Sequence, residues 1–198
     1  MSVQLDLLNY LLVSIDETPV DEVVGSHPDA STAMYLLGEK RKELLRKGWW
    51  FNRQERYLSP DSSGLIVIPT DTLSVSRIPS SSGLVSVRGN LLYDNENDTN
   101  VFTAPQLLEL LFDFPDYSVP GEAYAVIKYS AALEFALSSE VSNNKIQNLR
   151  DDLATAERYL LAQQLRQKKQ NFSNPPMRQR LGRTTNLGYI PSRYRSKS

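Results

Sequence analysis

The sequence predicts an α+β fold: a helical bundle domain carrying an inserted small antiparallel β-domain, followed by a disordered basic C-terminal arm. Three observations predict it. Apolar residues recur at helical spacing between Ala30 and Leu45 and again between Asn143 and Gln167. From about Ser59 to Pro120 the chain turns rich in Ser, Pro, Gly and Asn, with short β-branched or alternating runs of strand length. The charge is also split: all 23 acidic groups fall within residues 1–157, while 10 of the 22 basic groups fall within residues 158–198. The boundaries that follow are 1–58 and 120–169 for the two parts of the helical domain, 59–119 for the β-domain and 170–198 for the arm.

The elements follow in order. Val3–Ile15 forms a first helix with Leu8, Leu11, Leu12 and Ile15 on one stripe, and a turn containing Pro19 ends it. Ser26-His27-Pro28-Asp29 resembles a capping box for the second helix, with Ser26 accepting from the backbone and Asp29 reaching back. Ala30, Ala33, Met34, Leu37, Leu44 and Leu45 supply its apolar face. Lys40, Arg41, Lys42, Arg46 and Lys47 suit the negative end of its dipole, and Gly48 supplies the left-handed stop. Strands are expected at Leu65–Ile68, Leu73–Arg77, Leu84–Arg88, Leu91–Asp94, Val101–Thr103 and Leu107–Phe114. Gly89-Asn90 makes a two-residue hairpin turn, because both residues tolerate positive φ. Glu122–Leu137 is a helix packing Val126, Ile127, Ala131 and Phe135 inward. Asn143–Gln167 is another, with a narrow seam of Ile146, Leu149, Leu153, Ala156 and Leu160. Beyond Gln170 the apolar period is lost, and Asn174-Pro175-Pro176 ends any helix.

Composition excludes several functions. The chain has 198 residues, is 40% hydrophobic and contains no cysteine, so it buries a core without disulfides, thiolate metal sites or a cysteine nucleophile. A single histidine, His27, excludes a multi-histidine metal centre. His27 also lacks a serine elbow to activate, and a helix-start role accounts for it better than a triad. No apolar run approaches a membrane span and no basic leader precedes one, which predicts a soluble chain without a secretory signal. Asp94-Asn95-Glu96-Asn97-Asp98 has carboxylates like a calcium loop but lacks its Gly and terminal Glu, and reads as a solvated hairpin loop. No Gly-rich phosphate cradle is present. Trp49-Trp50-Phe51 would stack on bases or sugars, yet its place at a helix exit favours packing against the next layer. The sequence therefore implies neither a catalytic site nor a cofactor.

The arm remains. Its cations would neutralise nucleic-acid phosphates or pair with an acidic protein surface, and composition alone weighs these equally. Arg178, Arg180, Arg183, Arg193 and Arg195 are the candidate carboxylate partners. Phe172, Tyr189, Ile190 and Tyr194 are the candidate apolar anchors. The seam at Ile146, Leu149, Leu153, Ala156 and Leu160 is the candidate self-association surface.

Around the second helix exit, Arg46-Lys47-Gly48-Trp49-Trp50-Phe51-Asn52 resembles a run found in the tail tubular protein A family, the head-to-tail adaptors of short-tailed bacteriophages. Further likenesses come in the same order: Gly64-Leu65-Ile66-Val67-Ile68-Pro69, the hairpin Arg88-Gly89-Asn90-Leu91-Leu92-Tyr93-Asp94, Phe112-Asp113-Phe114-Pro115 and Ala131-Ala132-Leu133-Glu134-Phe135. The opening, with Leu8-Asn9 and Ile15-Asp16-Glu17-Thr18-Pro19-Val20, resembles the family's first helix and turn, with Asp16 where the pattern has Gly. The likeness spans roughly residues 5–165. It implies a structural virion tail protein that is not an enzyme. Such a protein forms a ring of twelve copies between the portal and the tail nozzle (tail tubular protein B), contributes to tail-fibre attachment and leaves a channel through which DNA passes without specific binding. The alternatives are a tail-associated polysaccharide hydrolase, or a DNA-binding protein acting through the arm.

Overall fold

The computed structural model describes residues 3–22, 28–78, 83–115 and 118–172, with the side chains of 168–172 left aside. The elements run α1 (Val3–Ser14), α2 (Ala30–Leu45), β1 (Arg53–Leu58), β2 (Thr72–Arg77), β3 (Val85–Arg88), β4 (Leu91–Asp94), β5 (Gln106–Phe112), α3 (Gly121–Leu137) and α4 (Asn143–Phe172). Two antiparallel sheets lie between the second and third helices in sequence. One has the strand order β1-β5-β2, and the other is the β3-β4 ribbon.

The helices surround one apolar cluster. α1 contributes Leu7, Leu8, Leu11 and Leu12, all fully buried, and Ile15 packs only at its margin. Asp16 ends the helix at φ +66, the left-handed conformation that costs a non-glycine residue roughly 1–2 kcal/mol. Asn9 then pins the turn, donating from Nδ2 to Val20 O (2.9 Å) and accepting from Val20 N at Oδ1 (2.8 Å). α3 packs Ala123, Val126, Ile127, Ala131 and Phe135 into the same cluster, and α4 adds Leu149, Ala156 and Leu160.

The start of α2 departs from the sequence reading. Asp29 is the N-cap, with φ −86° and ψ −10° and no side-chain cap bond, and its carbonyl accepts the first helical hydrogen bond from Ala33. An N-cap at Asp29 rules out its role as the third residue of a capping box. Ser26 and His27 lie outside the described residues.

The β segment also redistributes the expected strands. Arg53–Leu58, assigned from sequence to the helical part, is an edge strand paired with β5 in the register Arg53↔Leu111 to Leu58↔Gln106. Its polar composition hides the alternation that marks a half-buried strand. Leu65–Ile68 and Val101–Thr103 make only single bridges, Leu65↔Val101 and Val67↔Leu91. The short run from Leu65 meets two different neighbours and is closed by Pro69, so no ladder extends. β5 ends at Phe112; the next residue, Asp113, donates its N–H to Asp71 O (2.7 Å) and pairs its side chain with Arg41. The predicted hairpin is present, with Gly89 at φ +66. Ile66, Ile68, Leu92, Phe102, Leu108, Leu110 and Phe112 form a second, smaller apolar cluster beneath it.

α4 continues five residues beyond the expected Gln167, to Phe172. Gln and Lys are good helix formers, so loss of the apolar period does not end the helix. The arm's start is thus helical as far as Phe172. Arg178, Arg180, Arg183, Tyr189, Ile190, Arg193, Tyr194 and Arg195 lie outside the described residues.

Candidate interaction surfaces

The run from Gly48 to Asn52 is a structural joint. Gly48 adopts φ +72, and a Cβ there would come within 2.8 Å of Arg53 Nη2 and 3.1 Å of Leu111 Cδ2. Asn52 is fully buried. Its Nδ2 donates to Leu45 O (2.8 Å) and Phe112 O (3.0 Å), and its Oδ1 accepts from Trp49 N (2.8 Å). One amide therefore stitches the end of α2 to the end of β5. Trp49 buries its ring and donates Nε1–H to Leu44 O (2.8 Å), while Trp50 N donates to Gln164 Oε1 on α4 (3.0 Å). The aromatic triplet is thus packed inward, as the helix-exit reading expects. Nearby, Arg41 Nε and Nη2 reach Asp113 Oδ1 and Oδ2 at 3.1 and 3.3 Å.

The loop after β4 has a comparable pin. Asp94 is buried and accepts from Glu96 N, Asn97 N, Asn97 Nδ2 and Arg77 Nη2, at 2.9 to 3.3 Å. The Asn97 side chain is the largest influence holding its pKa down, to about 2, with the backbone donors and Arg77 adding to it against the effect of burial. Its oxygens are thus occupied in holding a turn. Among the described residues, no group of three or more His, Cys, Asp or Glu side chains could hold a metal ion.

The predicted self-association seam faces inward. Leu149, Ala156 and Leu160 are buried against the helical cluster, and Ile146 and Leu153 pack half-buried at its edge. Their apolar surface is used within the subunit, largely by α3. Among the described side chains, the exposed large apolar residues of α4 are instead Tyr159, Leu161 (53% exposed) and Leu165 (60%), with Arg158 and Arg166 beside them. A groove of about 510 Å³ borders Tyr159 and Arg166 where α4 meets the start of α3. The i, i+4 spacing of Leu161 and Leu165, just off the inward stripe, is the sequence signal that could have found them.

A second surface lies on the β ribbon. Its inner face buries Ile66, Ile68, Leu92 and Phe102. Its outer face exposes Val67 (55%), Leu84 (69%) and Val101 (52%), and holds the Arg88 guanidinium 3.3 Å from the centre of the Tyr93 ring. A solvated antiparallel face ordinarily alternates to polar residues, so apolar residues on both faces are the signal here.

The family model described as "Tail tubular protein" matches residues 5–171, nearly the whole described body. The chain belongs to the tail tubular protein family. Among its relatives, Tail tubular protein A of Klebsiella phage KP34 is 26% identical over 180 residues, covering 91% of this chain and 96% of that protein. As a tail tubular protein, the chain is a structural component of the bacteriophage virion tail and not an enzyme. Among the described residues, no helix is long and apolar enough to cross a membrane. The joint at Asn52 and the pin at Asp94 give physical reasons for two motifs that carried the resemblance.

Proposed function

We propose that this tail tubular protein forms a ring-shaped adaptor between the portal and the tail nozzle, leaving a central channel for DNA and giving tail fibres part of their attachment site. The observation that carries this reading is a pinned, family-typical body that leaves apolar surface uncovered on both its helical and its β parts, as a subunit of a larger assembly would. Twelve copies is the number the family resemblance implies. The net acidity of residues 1–157 agrees with passage of DNA without grip, because a negative lining repels phosphates.

The arm beyond Phe172 is assigned to a protein partner, the portal or a neighbouring subunit. Arg178, Arg180, Arg183, Arg193 and Arg195 pair with carboxylates, and Tyr189 and Tyr194 serve as anchors. An arm that neutralised phosphates in every copy would multiply drag on leaving DNA. Electron microscopy of the purified protein, alone and mixed with portal, tests the ring. Closed rings docked on portal are expected. Particles that stay single in both samples would sink the reading. Truncation after Phe172 tests the arm: weakened portal attachment with an intact fold is expected, and a loss of DNA affinity alone would overturn the protein-partner assignment.

A further inference from the structure

The helical and ribbon surfaces lie over different apolar clusters, and each stays exposed in the folded chain, so they do not cover each other. Resting on the ring reading above, we propose that they bind one another between neighbouring copies. The outer flank of α4 around Arg158, Leu161 and Leu165 of one copy seats on the outer face of the β3-β4 ribbon of the next.

The face of the ribbon follows from register. Val67 bridges Leu91, Leu91 pairs with Arg88, and Asn95 N donates to Leu84 O, extending the β3-β4 ladder by one pair. Directly opposed residues share a side of an antiparallel sheet, and alternate residues return to it. Leu84, Arg88, Leu91 and Tyr93 therefore line up with Val67 on the side away from the buried Ile66, Ile68 and Leu92. Val101 joins them by its exposure. Tyrosine and arginine on an apolar ground are the residue types that anchor protein interfaces.

Charge selects the occupant. The exposed carboxylates Glu96 and Asp98 rim the ribbon face, and the Asp98 carboxylate accepts a hydrogen bond from the Tyr93 hydroxyl. After Glu157, α4 carries Arg158, Arg166, Lys168 and Lys169 and no acidic residue. Among the described residues, Arg158 bonds neutral groups of its own helix, Ala154 O at 3.1 Å and Thr155 Oγ1 at 3.0 Å, and no carboxylate. A basic, leucine-bearing helix end thus meets an acidic-rimmed apolar sheet face, and the same chain supplies both. Two different patches joined head to tail make a heterologous contact, the kind that closes a ring.

The absence of native cysteine gives a clean test. Val67→Cys and Leu165→Cys variants, each checked by circular dichroism for an unchanged fold, are mixed under mild oxidation with or without portal. A disulfide heterodimer between the two variants is expected, in excess over either homodimer, while the double variant should give a ladder of oligomers. Separately, Arg158→Glu should weaken assembly by about tenfold, with recovery on adding Asp98→Arg. Self-linking of Val67→Cys without a heterodimer, or no heterodimer at all, overturns the proposal. If light scattering still shows assemblies in that case, the ring reading stands and only this interface falls. If scattering shows none with portal present, the ring reading falls as well.

Discussion

The helical and β parts of this chain hold themselves together by different means. The helices bury a broad cluster of leucines, alanines and aromatics contributed by all four of them, and few polar contacts are needed inside it. The β segment has a much smaller cluster, short strands and single bridges. It depends on polar pins: the buried Asn52 at its root, the half-buried pair of Arg41 with Asp113 beside it, and Asp94 with Arg77 at its far loop. A small sheet cannot supply enough apolar burial by itself, so satisfied polar networks fix its shape. The lesson is that equal loss of atoms in the two parts should not have equal consequences.

That contrast can be broken or sharpened by substitution. The largest effect is expected from Ile127→Ala in the helical cluster, a loss of about 2–5 kcal/mol in chemical denaturation. A cost under about 1 kcal/mol would mean that the cluster repacks freely and the contrast is false. Asn52→Ala comes next at about 3 kcal/mol, because it takes the acceptor from the buried Trp49 N and the amide donor from Phe112 O and Leu45 O, the last keeping only Gly48 N. Hydrogen exchange should then show the ends of α2 and β5 loosening together. Loosening confined to one of them would show that the joint does not couple them.

Asp94→Asn is expected to cost about 1–3 kcal/mol, since the amide cannot accept from all four donors. Its pH dependence is the sharper measurement. With a folded pKa of about 2, below the ordinary carboxylate value, Asp94 contributes stability that is full above pH ~4 and lost as the pH falls towards 2. The native chain should show this acid loss in the β segment, and Asp94→Asn should lack it. An unchanged acid limb in the variant would assign the transition to other carboxylates. The smallest effect is expected at Asp16. Asp16→Gly should lie within about 1 kcal/mol of neutral, because relief of positive φ offsets the lost contact with Lys145 (2.6 Å), whereas Asp16→Val should cost about 1–2 kcal/mol. Equal stabilities for the two, read from thermal melts, would remove strain from the account.

The helices were legible because their apolar period is local: Leu8, Leu37, Ile127 and Leu160 fall where spacing alone puts them. β1 was not, because Arg53-Gln54-Glu55-Arg56-Tyr57-Leu58 becomes a strand only when β5, some fifty residues later, lies beside it. Leu65–Ile68 misled for the converse reason, having strand composition but no single partner along its length. The resemblance found the joint and the hairpin as motifs, yet gave no reason for them until Asn52 and Asp94 could be seen satisfying particular backbone groups. The candidate surfaces were hardest. Periodicity finds the face that a helix buries, so Ile146 and Leu149 stood out; the spacing of Leu161 and Leu165 is also local, while Val67 and Val101 gain meaning only once the buried faces are known. Surface function is what remains after the core has taken its share.

The length of α4 has a mechanical consequence. Thirty residues of helix measure about 45 Å, and Gln164, eight residues before its end, is tied to the rest of the fold through Trp50 N. The helix backbone carries the chain on for about two further turns. A partner gripping their end is held at a distance set by residue count and at an angle set by helical phase. Removing four residues from this stretch would bring that partner about 6 Å nearer and turn the gripped side by about 40°. Removing seven would bring it about 10 Å nearer and shift the phase by only about 20°. Spacing and orientation in an assembly built on this helix are therefore adjustable in discrete steps.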